Sequence, residues 1–237
     1  MWPWGQKKNH LVSVSLSPQN ISCCFAKQSK EKNEKITIIA YERKNFASLE
    51  FEKSIVFNPT KISHCIKNFI KKNNIERPIV SLSVSGPNIF EKIITLSKSA
   101  PKKTDFTFPE LQNINWSHTY LCPSTKGGFH FCVHGMPKET LFQYRLLAIK
   151  SGIKLRTITT STNACMQLYK NIKGKQFTQN QLSIDLSKNN YDIRSIFTKK
   201  LLEEHFNFNK YVAIDLKNET QFVSTNLGLF LTENKTL

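Results

Sequence analysis

Long apolar runs are missing from this chain of 237 residues. Its longest apolar stretches, such as Tyr144 to Ile149, fall far short of the ~20 residues a membrane helix requires. A secretory signal is also missing, because Lys7 and Lys8 lead into alternating Ser and apolar residues instead of an apolar block. Arginine is scarce. Of 34 basic residues only Arg43, Arg77, Arg145, Arg156 and Arg194 are Arg. Nucleic-acid readers lean on Arg for bidentate and stacking contacts, so the scarcity weighs against a dedicated reader. No block of five or more Lys occurs either. Acids number 17, which leaves a formal charge of +17. With Lys spread along the whole chain, that excess speaks to solubility and loose attraction to anions or to an anionic inner leaflet, not to a fold.

Apolar content of 39% is enough for a real core in one bilobed unit or two small domains. The six cysteines, Cys23, Cys24, Cys65, Cys122, Cys132 and Cys165, are an even set in a chain that is neither small nor visibly secreted. They are expected to be reduced thiols in a cytosol. Residues 1–10 form an N-terminal tip in which Trp2 and Trp4 precede Lys7 and Lys8. That pattern suits a membrane interface, or else a frayed terminus.

Alternation predicts a hairpin over residues 11–26, with Pro18-Gln19-Asn20 as its turn. Strands follow at 35–41 and 47–57. Asn58-Pro59 opens a helix with Ile62, Cys65, Ile66, Phe69 and Ile70 at helical spacing. The run Ile79, Val80, Leu82, Val84 predicts a buried strand. Residues 86–136 have another texture: strands at 90–96, 117–122 and 128–134 around polar loops, which predicts a small inserted α+β subdomain. Then come a helix from Pro137 ended by Ser151-Gly152, a strand at 153–158 and a helix capped by Thr160 or Ser161. A second hairpin is predicted over 181–198, a strand at 211–216 and a last apolar run at 227–231.

Three antiparallel strands, a helix and a buried strand resemble the RNase H-like half of the actin-like fold. Four stretches resemble, in particular, the type IV pilus assembly PilM family and its shorter HofM branch. These are the apolar tip with its Lys pair; Val84-Ser85-Gly86-Pro87 followed by Phe90-Glu91-Lys92-Ile93-Ile94; Met136-Pro137-Lys138-Glu139 with Ser151-Gly152-Ile153 and the helix from Ser161 to Leu168; and Asn226-Leu227-Gly228-Leu229. The resemblance implies an α/β, actin-like chain. A first RNase H-like domain would span 11–175, with the insertion at about 86–136, and a truncated second lobe would span 176–237. It also implies a scaffold at the inner face of a bacterial inner membrane, in the cytoplasm, holding the cytoplasmic tail of a PilN-like membrane protein in a groove beside the insertion.

The chemistry of that fold is poorly represented. Its two phosphate hairpins each need an Asp for Mg²⁺ and Gly in the turn, so that backbone N–H groups can approach phosphate. The first hairpin here has no acid and no Gly, and Pro18 removes a donor. The second keeps Asp185 at the family's Asp position, but Ser187 replaces Gly and Lys188 follows. Asp185, Ser187 and Lys188 are thus a degenerate nucleotide site, and the chain is expected to be a pseudo-ATPase with no cofactor. Two-metal nuclease chemistry needs converging carboxylates, which the first strand lacks. Cys122, His130, Cys132 and His134 form a weak metal constellation, because a strand sets such ligands ~6–7 Å apart. A basic nucleic-acid-binding protein and a residual nucleotide switch stand as alternatives to the scaffold.

Overall fold

The computed structural model describes residues 10–28, 35–46, 51–52, 55–56, 59–86, 88–97, 100–102, 105, 113–124, 127–174, 178, 180–182, 185, 192–210, 212 and 214–231. Two short sequences, Val12-Ser13-Val14-Ser15-Leu16 and Val80-Ser81-Leu82-Ser83-Val84, set its centre. The first lies in β1 (His10–Leu16) and the second in β6 (Ile79–Val84). The two strands run parallel with Val12 beside Val80, Ser13 beside Ser81 and Leu16 beside Val84. Side chains alternate across a strand, so one sheet face is Val and Leu and the other is Ser.

Around this pair lies a six-stranded sheet. β2 (Asn20–Lys27) and β3 (Ile36–Asn45) continue from β1 as antiparallel neighbours. On the other side β10 (Lys154–Thr160) runs parallel to β6. The spatial order is β10-β6-β1-β2-β3, followed by β11 (Phe206–Phe208). This is the expected RNase H-like half. Two short strands, β4 (Phe51–Glu52) and β5 (Ile55–Val56), pair with each other apart from it.

The apolar face is covered by α1 (Pro59–Lys72) and α2 (Lys138–Ser151). Pro59 takes a first-turn place where its missing N–H costs nothing. Ile62, Ile66 and Phe69 then recur on one buried face. They meet Val14, Leu82, Leu141 and Tyr144 in one core. Gly152 ends α2 in the left-handed region at φ 68°, with its N–H on the carbonyls of Ala148 and Ile149.

Between β6 and α2 the chain makes a second sheet from β7 (Phe90–Leu96), β8 (Ile114–Pro123) and β9 (Phe129–Pro137). Its order is β7-β9-β8, all antiparallel, which leaves β7 and β8 as edges.

The C-terminal part departs from expectation. No second hairpin is found at 181–198 among the described residues: 180–182 and 185 are helical, and Ile193–Ile196 form a 3₁₀ turn. Side-chain caps favour this, because the Thr178 hydroxyl accepts from the Gln181 N–H and the Asp192 carboxylate accepts from the Arg194 N–H. The apolar run at 227–231 belongs to α5 (Leu216–Leu231), and Leu216 is its first residue instead of the last of a strand. This helix lies across β1, β2 and β6 and against α3 (Ser161–Lys173). With α4 (Lys199–His205) and β11 it completes the core on the second sheet face, where Leu182, Leu202, Val223 and Leu227 join Cys24, Ala26 and Ile38. Residues 176–237 therefore supply, where described, a cover for the first sheet. Among the described residues no helix is long and apolar enough to cross a membrane.

Candidate functional site

β1, β6 and β10 are parallel, so their carboxyl ends meet on one edge, at Leu16, Val84 and Thr160. In open α/β sheets the crevice outside such ends is the usual ligand site. Here it is built almost wholly from hydroxyls. β1 leaves through Ser17-Pro18-Gln19, β6 through Ser85-Gly86, and β10 runs directly into α3 through Thr160 and Ser161.

The hairpin after β1 satisfies its own donors. The Ser17 hydroxyl accepts from the backbone N–H of Gln19 at 3.3 Å and of Asn20 at 3.1 Å. The Ser17 N–H donates to the Asn20 carbonyl at 2.9 Å, and Pro18 has no N–H to offer. The exit of β6 is tied back in the same manner, with the Ser85 N–H on the Leu16 carbonyl at 3.0 Å.

The start of α3 is likewise occupied. Thr160 is its cap, its hydroxyl accepting from the Asn163 N–H at 3.2 Å. The same hydroxyl donates to the carboxylate of Glu91, which reaches across from β7. Glu91 is exposed as a residue, and local desolvation where its carboxylate meets the start of α3 moves its pKa up from the usual value, against hydrogen bonds from Thr160, Thr162 and the Asn163 N–H that favour the charged form. A carboxylate at a helix N-terminus is where the dipole favours an anion, and here the protein supplies that anion itself. Asn163 donates to the Thr159 hydroxyl at 2.7 Å, while its own amide oxygen is buried without a partner.

Behind this edge the hydroxyl face of the sheet meets α5. Ser13 donates to the Asn226 amide oxygen at 3.0 Å, and the Asn226 amide nitrogen donates to Ser22 at 2.7 Å. All three are fully buried. Ser13 thus stands in the middle of β1 in a hydrogen-bonded structural layer. The signal for it was the repeated Val-Ser-Leu-type alternation at 12–17 and 80–85, of which the second copy reads more easily as a continuous apolar strand.

Asp185 lies elsewhere. Its carboxylate accepts from the Tyr169 hydroxyl at 2.6 Å and the Gln181 amide at 2.7 Å, with the Lys173 ammonium at 3.5 Å. Burial pushes its pKa up, but the bonds from Tyr169 and Gln181 and the Lys173 charge outweigh that and hold it below the usual value. Tyr169 is eight residues along α3 from Ser161, about 12 Å at 1.5 Å per residue. The structure therefore does not bring Asp185 to the β1–β2 turn. Ser187, Lys188, Trp2, Trp4, Lys7 and Lys8 lie outside the described residues.

The metal constellation lies along the inserted sheet. Cys122 and His130 are cross-strand partners, and His130 Nδ1 is bonded to the Thr95 hydroxyl at 2.8 Å. Cys132 pairs with Ile93 and Thr119, and His134 with Glu91 and Ser117. Among the described residues no three His, Cys, Asp or Glu gather as a metal would require. His118 turns to the opposite face, its ring edge-on to Phe131 at 5.8 Å. Burial, helped by His118, pushes the His134 pKa down to about 4. No two of the six cysteines are bonded, and all but Cys65 are buried.

No family model and no curated protein matches this sequence. Solved structures do match. The PilM–PilN type IV pilus biogenesis complex superposes with a TM-score of 0.54 at 11% identity, over 68% of this chain and 50% of that chain. The cytoplasmic domain of EpsL, an inner-membrane component of the type II secretion system of Vibrio cholerae, gives 0.40 at 11% identity, over 65% and 58%. The ethanolamine utilization protein EutJ of Carboxydothermus hydrogenoformans gives 0.39 at 9% identity, over 71% and 42%. This chain thus spans half the length of the PilM–PilN chain that it matches. Sheet order and superposition together define the class: the chain has the actin-like α/β fold.

Proposed function

We propose that this chain is a non-catalytic scaffold of a type IV pilus or secretion-type assembly platform. It works without a cofactor, in the cytoplasm, peripheral to the bacterial inner membrane. The observation that carries the non-catalytic part is the self-occupied ligand edge. Ser17 consumes the turn N–H groups that would hold a phosphate, and Glu91 occupies the start of α3. A nucleotide would have to displace both, and transition-state stabilisation needs such groups free and preorganised. The likeness in fold to the PilM–PilN complex supports the platform part.

The partner in this reading is the short cytoplasmic tail of a PilN-like membrane protein. β7 is an edge strand beside the main domain, suited to adding an extended peptide, and it exposes Ile93 at 48% as an apolar anchor. Pulldown with the tail of the PilN-like protein from the same organism is expected to retain the wild-type chain. Ile93→Glu should lose roughly tenfold in tail affinity while melting normally, since burying a charge against an apolar anchor is costly. No retention of the wild type would end the tail-binding reading.

A further inference from the structure

The opposite end of the sheet, where β1, β6 and β10 begin, carries a surface that tail capture does not use. Two adjoining cavities open there. One, of about 470 Å³, has Leu11, Leu155 and Phe230 among its apolar walls and His10, Arg77, Lys154 and Arg156 on its polar side. The other, of about 340 Å³, shares Ile75 and Glu76 with the first and carries Lys67 and Lys71. Among the described lining residues Glu76 is the one acid against five Lys or Arg.

Two backbone irregularities place the arginines. Arg77 has φ 46°, a left-handed conformation that a long side chain rarely takes. Arg156 falls at the bulge of β10, between Leu155 and Thr157, and bulges re-aim side chains. Two of the five Arg in a Lys-rich chain thus reach one cavity. Beside them, Ile79 is left 42% exposed and Ile149, in the last turn of α2, 73% exposed.

We propose that this end docks on the anionic phospholipid headgroups of a bilayer. The cations are spread over the end of α1, the α1–β6 loop and the start of β10, as many headgroups require and one small anion does not. Ile79 lines the first cavity and Ile149 lies two residues before Ser151, which lines the second; both stand in water, placed to enter the acyl boundary while the cations meet phosphate. A second copy would bring like charge onto like charge, and a nucleic-acid backbone offers nothing to bury the isoleucines. The inference deepens the peripheral placement proposed above, and its test is separate from tail capture.

The full chain is sedimented with phosphatidylcholine vesicles, alone or containing about a third phosphatidylglycerol. Binding is expected to the anionic vesicles only and to weaken with salt. The triple variant Arg77→Glu, Lys154→Glu, Arg156→Glu should lose on the order of a hundredfold in partitioning. Lys44→Glu, Lys102→Glu, Lys200→Glu removes the same charge at exposed positions that line neither cavity and lie off β7, and should lose far less. Ile79→Ser with Ile149→Ser should lose roughly tenfold. Thermal melts verify that each variant folds, and tail capture should survive in all three. Equal losses in the two triple variants would overturn the proposal, as would absence of binding to anionic vesicles. So would displacement by inorganic phosphate at matched ionic strength, which would mark a pocket for a free anion. Vesicle binding without tail capture by the wild type would instead remove only the tail-binding reading.

Discussion

Asn226 and Gly228 sit two residues apart in α5 and make opposite demands on the core. Asn226 needs partners, and Ser13 and Ser22 provide them. Gly228 needs the lack of a side chain: a Cβ there would lie 1.9 Å from the Ala164 carbonyl oxygen. That neighbour is α3 backbone and cannot swing away. Gly228→Ala should therefore cost about 3 kcal/mol in a urea titration, at the upper end for overpacking. Gly152→Ala offers the contrast, with nothing within 4 Å but φ at 68°, and should cost only about 1 kcal/mol. A Gly228→Ala protein as stable as wild type would refute the close α3–α5 crossing. His134 gives a pH signature. Its folded pKa, about 4, lies below the ordinary 6.5, because burial disfavours the charged form. Its neutral form is thus favoured by folding. The stability it permits is complete above pH 6.5 and falls as pH drops toward about 4. The loss is roughly 3 kcal/mol at most. In His134→Leu, guanidinium unfolding at stepped pH should show that slope flattened. Asp185, held below its usual pKa, acts at lower pH, its contribution being lost only as its own carboxylate protonates.

At the scale of elements, the parts legible in sequence are those whose signals are local. β1 and β2 alternate and turn at Pro18, α1 opens on Pro59, and α2 stops at Gly152, so each was readable from neighbouring residues. α5 was not, because its buried residues include Ser224, Thr225, Asn226 and Gly228. A helix that buries small polar residues against a serine face has a muted hydropathy period. Residues 181–186 alternate like a strand, yet Thr178 caps a helical turn and Tyr169 draws Asp185 toward α3. Tertiary partners far along the chain decided both cases. The ligand edge was legible as lacking acids, while the Glu91 cap on α3 depends on a contact 69 residues apart in sequence. Another such contact anchors α5. Glu219 accepts from Tyr41 at 3.0 Å and Arg43 at 3.2 Å, and the Arg43 guanidinium lies 4.0 Å over the Phe222 ring. These groups are partly exposed, so Arg43→Ala should cost about 1 kcal/mol. Amide exchange should accelerate near Glu219 and stay unchanged within α3. Uniform acceleration across both helices would contradict a local anchor.

Across the whole molecule the two ends of the main sheet differ in kind. The carboxyl end is closed by its own hydroxyls and by Glu91, and the edge strand β7 stands near it. The amino end is open, basic and edged with exposed isoleucine. Such polarity suits a body held between a membrane and a partner, with no chemistry between them. The decisive measurement is anisotropy of the fluorescent PilN-like tail titrated with the full chain, with and without Mg·ATP, followed by assay of released phosphate. Saturable tail binding unchanged by ATP, with no phosphate released, is the predicted result. Absence of tail binding, or phosphate release above the buffer blank, would contradict a non-catalytic scaffold.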